Sequence, residues 1–112
     1  MKVYITLGQK RAVYEVFWRH SVRRTTTAYM GKAVELNGET WCIIKLKGRS
    51  LSLGHAFCKA PDQYRKDAGR KSSLTHALAA KPKVFTREIR TKFWKKFFKE
   101  TVYFGEKGVK KS

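Results

Sequence analysis

Up to Lys59 apolar side chains recur mostly at every second position, and beyond Pro61 they recur at spacings of three and four. The first spacing is that of strands and the second that of helices. Val3 to Leu7 predicts a first strand, closed by Gly8. Ala12 to Arg19 predicts a second, with Val13, Glu15 and Phe17 on one side and Tyr14, Val16 and Trp18 on the other. Apolar groups on both sides suit a central strand. The polar stretch from Ser21 to Thr27 reads as the basic end of a hairpin, with a loop as the alternative. Asn37-Gly38 sits between Ala33–Leu36 and Thr40–Leu46 and predicts a tight turn, because both residues accept positive φ. Lys47-Gly48-Arg49 predicts the next turn, and Ser50 to Cys58 returns as a further strand.

Pro61-Asp62 can open a short helix that Gly69 ends, and Ser72 or Ser73 can start a second that carries Leu74, Ala77 and Leu78 inward and stops at Lys81-Pro82. Thr86 offers an N-cap, with Glu88 in the first turn that follows. The helix from Arg87 to Glu100 then places Ile89, Phe93, Trp94, Phe97 and Phe98 on one stripe. The fold class expected is α+β: an antiparallel sheet of about four to six strands, followed by two to three helices packed on one face. A single basic domain over residues 1–104 and a flexible basic tail over 105–112 complete the organisation.

Charge changes this picture most. Lys and Arg total 26 against 8 acids, a formal net charge of +18, whereas roughly 2 to 8 charges keep a small domain soluble. Self-repulsion on that scale destabilises a compact state unless an anionic partner offsets it, so a polyanion is the natural partner. The hydrophobic fraction of 42% and the aromatic fraction of 13% exclude a disordered basic tail. No apolar run approaches the roughly 20 residues of a membrane span, so a soluble protein of the cytoplasm, with no membrane partner, is expected. Two cysteines, Cys42 and Cys58, are too few for a disulfide framework and read as reduced thiols.

The candidate phosphate contacts are Arg19, Arg23 and Arg24 near the hairpin end, Arg70 and Lys71, and the basic face of the last helix: Arg87, Arg90, Lys92, Lys95, Lys96 and Lys99. Gly69-Arg70-Lys71-Ser72-Ser73 also resembles a small anion-binding corner, equally readable as a C-cap glycine followed by an N-cap serine. It lacks the spacing of a nucleotide-hydrolysing phosphate loop. Tyr14, Trp18, Tyr29, Trp41 and Phe57 can stack on bases wherever they are exposed, and Trp18, close to Arg19, Arg23 and Arg24, is the best placed.

Gly54-His55-Ala56-Phe57-Cys58, Asp62-Gln63-Tyr64, Gly69-Arg70-Lys71, and Leu74 with Ala77-Leu78 together resemble a recurring arrangement in short basic proteins of tailed bacteriophages. The resemblance spans residues 40–98; where the pattern commonly has an Arg before the Ala-Leu pair, this chain has His76. It implies a phage or prophage origin, hence the cytoplasm of an infected or lysogenic bacterial cell, and carries no agreed activity. Two roles become expectations: binding DNA or RNA, or binding and disabling a host nucleic-acid-handling complex, as anti-CRISPR proteins do.

Catalysis and cofactors find little footing. Asp62 and Asp67 would sit on different helical faces, so no acid/base pair is visible, and no carboxylate cluster for a metal stands out among eight scattered acids. For zinc, Cys42, His55, Cys58 and His76 are the donors available. With Lys47 facing Ser50, Cys42 would fall opposite His55, while His55 and Cys58 would face opposite sides of the sheet. No metal, no cofactor and no enzymatic activity are therefore expected.

Overall fold

The computed structural model of the chain describes residues 1–22, 25–59 and 64–109. Strands β1 (Lys2–Leu7), β2 (Lys10–Ser21), β3 (Thr25–Tyr29), β4 (Lys32–Leu46) and β5 (Arg49–Lys59) come first; helices α1 (Lys66–Ala79) and α2 (Arg87–Val109) follow. Every strand pairing is antiparallel. Both β2 and β3 pair with β4, and their registers run on from Ser21 opposite Glu39 to Thr25 opposite Leu36, with one extra residue on the β2–β3 side. They act as one long, interrupted strand. The sheet therefore has four strand positions, β1, β2 with β3, β4, β5, in chain order. This is the α+β architecture that the alternation and helical spacing predict.

Asn37 and Gly38 do not form the predicted turn. They lie inside β4, where pairing with β5 shifts from Leu36–Lys59 to Gly38–Cys58 and leaves Asn37 as the extra residue of a bulge. Gly38 serves close approach instead, since a Cβ there would overlap the ring of Tyr64. The actual turns are Gly8-Gln9, Met30-Gly31 and Lys47-Gly48. Met30 and Gly31 have φ of 52° and 78°, and Lys47 and Gly48 have 53° and 78°, as a type I′ turn requires. Local preference lost to burial here. Leu36, Thr40, Cys42 and Ile44 are all fully buried on the inner side of β4, and a single register must keep them there.

The turn pairs Leu46 with Arg49 where Lys47 was expected opposite Ser50, and a second bulge at Leu51 recovers one of the two residues of difference, so Trp41 faces His55 and Cys42 faces Gly54. The two short helices predicted after Pro61 are replaced by one. α1 runs through Gly69, Ser72 and Ser73 without a break, and Pro61-Asp62 lie outside the described residues. Gly69 caps nothing; it is buried, and a Cβ on it would overlap Thr40 Oγ1. α2 starts as predicted, with the Arg90 amide donating to the Thr86 carbonyl at 2.8 Å and the Ile89 amide reaching Thr86 Oγ1 at 3.5 Å. Its backbone continues past Glu100 to Val109, into the stretch predicted as tail; residues 110–112 lie outside the described ones.

One face of the sheet makes the core. Val3, Ile5, Tyr14, Val16, Cys42 and Ile44 point inward and meet Leu74, Ala77 and Leu78 of α1 and Phe85, Ile89, Phe93 and Phe97 at and along α2. α1 lies against β4 and β5, and α2 packs along β1. Tyr4, Val13, Phe17, Trp41, Ile43 and Leu53 point the other way, and no element among the described residues covers them. The second apolar side of β2, readable in the alternation, is thus an open surface.

Candidate nucleic-acid interface

Burial of Ile89, Phe93 and Phe97 rotates α2 so that Lys92, Lys95, Lys96 and Lys99 emerge beside β1. With Lys2, Val3 and Tyr4 they line a groove of about 300 Å³. Lys96 lies 3.9 Å from the Glu100 carboxylate, one helical turn on. Among the described residues the other four lysines have no ion-pair partner, so their charge is left to solvent or to a ligand.

The remaining predicted contacts do not join this groove. Arg87 is exposed at the start of α2, but the Arg90 guanidinium donates to the Phe85 carbonyl at 2.9 Å and fastens the helix to its approach loop. Arg70 and Lys71 border a second groove, of about 340 Å³, with Arg65, Asp67, Phe97 and Phe98. Asp67 accepts from Arg65 at 2.8 Å, and that bond holds its carboxyl below the usual range. Lys71 Nζ lies 5.8 Å over the Phe98 ring. The anion-binding corner expected at residues 69–73 is not formed, because these residues lie within α1 and no helix N-terminus points there. Arg19 is exposed on the uncovered sheet face, and Arg23 and Arg24 lie outside the described residues.

The aromatic side chains sort differently from expectation. Trp18 faces the helices, with its ring 5.9 Å from that of Phe97 and its Nε1 donating to the Arg70 carbonyl at 3.2 Å, and is thus a packing residue. Tyr14 is buried, Phe57 is half-buried, and the Tyr29 side chain lies outside the described residues. Trp41 is 37% exposed, stacked on His55 at 3.9 Å, and His55 Nε2 lies 2.9 Å from Glu39 Oε1. Phe17, 44% exposed, and Tyr4, 67% exposed, were absent from the expected set. Their signal was the outward parity of Val13, Glu15 and Phe17, which cannot say by itself which side the helices cover.

A polar cluster sits where β2, β4 and the start of α1 meet. His20 Nδ1 lies 2.7 Å from the Tyr64 hydroxyl and 3.0 Å from Thr40 Oγ1, the two hydroxyls bond each other, and Tyr64 donates to the Glu39 carbonyl at 3.1 Å. These groups satisfy one another and tie Tyr64 across Gly38. Burial, then Arg70 and Lys66, hold the His20 imidazole below its ordinary value. The folded state therefore binds this proton less readily than the unfolded chain. The His20 contribution is complete above the ordinary imidazole value of about 6.5 and falls as pH drops through the window beneath it. Melting temperature should decline as pH falls below about 6.5, and His20→Gln should flatten that decline. An unchanged slope in the variant would show that His20 does not carry it.

Burial pushes the Cys42 thiol up to about 12, which keeps it a neutral core group. Among the described residues no three His, Cys, Asp or Glu side chains gather as a metal site would require. Among them, too, no helix is long and apolar enough to cross a membrane. Comparison with known protein families, with curated proteins and with solved structures gives no match to this chain.

Proposed function

We propose that the chain is a small basic nucleic-acid-binding protein of phage or prophage origin that contacts the phosphate backbone through its lysine and arginine side chains. The observation that carries this reading is the groove between β1 and α2, with five lysines on its walls and one carboxylate, Glu100, beside Lys96. Lysine presents a point charge rather than the planar fork with which arginine reads guanine edges, so such a lining favours backbone affinity over base readout. The hydroxyls and imidazole of the His20 cluster are engaged with one another, which suits a binding protein better than a catalyst.

Binding should depend steeply on salt. If all five lysines neutralise phosphates, affinity for duplex DNA should fall about 500-fold between about 50 and 200 mM salt, and for a single strand about 100-fold. Fluorescence anisotropy with labelled DNA and RNA measures this directly. A flat salt response, or no binding at about 50 mM salt, would remove the proposal. The outward row of exposed Phe17, half-buried Ile43 and exposed Leu53 favours a second reading, in which the chain docks on a host nucleic-acid-handling complex. A host protein that co-purifies through high salt and nuclease treatment would select it.

A further inference from the structure

Resting on the reading of the lysine groove as a phosphate track, we infer that the uncovered sheet face is a platform for unpaired bases, which makes single-stranded nucleic acid the preferred ligand. Tyr4 joins the two surfaces. It lines the lysine groove and also stands on the outward side of β1, directly opposite Val13 of β2. From there the outward residues lead across the sheet to Phe17 and Trp41, which are diagonal neighbours because Phe17 pairs with Ile43 and Arg19 with Trp41. Diagonal side chains on a sheet stand about 7–8 Å apart, enough for a base to rest on each ring.

The rings are held in place. Glu39 fixes His55, His55 stacks flat on one face of the Trp41 indole, and the register puts the exposed Arg19 on its other side. Lys45 Nζ lies 5.3 Å over the Phe17 ring. A strand laid on this face would find cations beside Phe17 and Trp41, while of the outward acids Glu39 is engaged by His55, Glu15 stands in the register between Lys2 and Lys45, and Glu35 stands apart at the β3 end, opposite Thr26.

The choice of occupant follows from charge. A second copy would bring another +18 against this face, whereas a single strand brings phosphates for the cations and a π-face for every ring. Duplex bases are already stacked on each other, so a duplex can use the lysine groove but has nothing to offer the rings.

Anisotropy should be measured with an oligothymidylate of about 12 nucleotides and with its oligoadenylate duplex, for the wild-type protein and for Trp41→Leu, Phe17→Leu and Trp41→Phe. Each leucine variant should bind the single strand about tenfold more weakly with an unchanged salt slope, Trp41→Phe should retain most of the affinity, and duplex binding should not move. Because these side chains are partly exposed, melting curves should match the wild type. In wild-type protein, photo-cross-linking to a bromouracil-substituted strand should mark peptides of β2 and β4, a result independent of any variant's folding. Leucine variants that bind the single strand normally, or lose strand and duplex equally, would overturn the inference and leave the lysine groove intact, as would cross-links confined to α2. So would a wild-type dimer in sedimentation that Phe17→Leu dissociates. Absence of binding to either probe at about 50 mM salt would instead remove the phosphate reading on which it rests.

Discussion

Gly54→Ala is expected to destabilise the fold by about 3 kcal/mol or more, at or beyond the upper end of what overpacking usually costs. The reason is what lies above it. A Cβ on Gly54 would overlap the Ser73 carbonyl oxygen and the Ala77 amide nitrogen and sit 2.9 Å from the Ala77 Cβ. A flexible side chain could step aside, but these atoms belong mainly to the backbone of α1. To admit the methyl group, α1 must lift from β5, which strains the 2.6 Å bond from Ser52 Oγ to the Ala77 carbonyl and opens the packing of Leu74 and Leu78. Gly48→Ala is the matched control: open space surrounds it, and only its φ of 78° opposes a side chain, a cost of about 1–2 kcal/mol. Urea denaturation of the two variants should separate them. Equal midpoints would mean that α1 is not seated on Gly54.

That contact also shows where sequence patterning stops. Alternation placed β1, β2 and β5 correctly because it reports which side chains share a face, and a buried face leaves that mark directly in the chain. The tight turn was misplaced at Asn37-Gly38 because turn preference is worth little against the burial of Leu36, Thr40, Cys42 and Ile44 on one side of β4. Gly38, Gly54 and Gly69 resemble punctuation when read along the chain, yet each is needed because something packs against it: the Tyr64 ring, the α1 backbone and the Thr40 side chain. Such reasons belong to the partner and leave no local trace. The same holds for the candidate site. The lysine face of α2 was legible from helical spacing, but its pairing with Lys2 and Tyr4 depends on α2 lying along β1. Trp18 and Phe17 exchanged roles because periodicity finds two faces of β2 without saying which one the helices cover.

The two faces of α2 should respond to substitution in opposite ways. Phe93 is fully buried, with its ring 5.3 Å from that of Tyr14 and 5.6 Å from that of Phe85, so Phe93→Ala should cost about 3–5 kcal/mol. Against the roughly 5–15 kcal/mol that stabilises a typical domain, such a loss could unfold much of the population at body temperature. Changing Lys92, Lys95, Lys96 and Lys99 together to Gln removes four charges from a chain of net charge +18 and, among the described residues, only one weak ion pair, Lys96 with Glu100. Relief of repulsion should offset the loss of that pair, worth about 0.3–0.5 kcal/mol, so the melting temperature should stay level or rise slightly. Binding should behave the other way. The quadruple variant should lose up to about 3.6 units of the duplex salt slope, with Lys2 left as the one groove lysine. Phe93→Ala, in whatever fraction remains folded, should keep the wild-type slope. If the lysine set unfolds the protein, or leaves affinity and its salt dependence unchanged, the groove between β1 and α2 is not the contact surface.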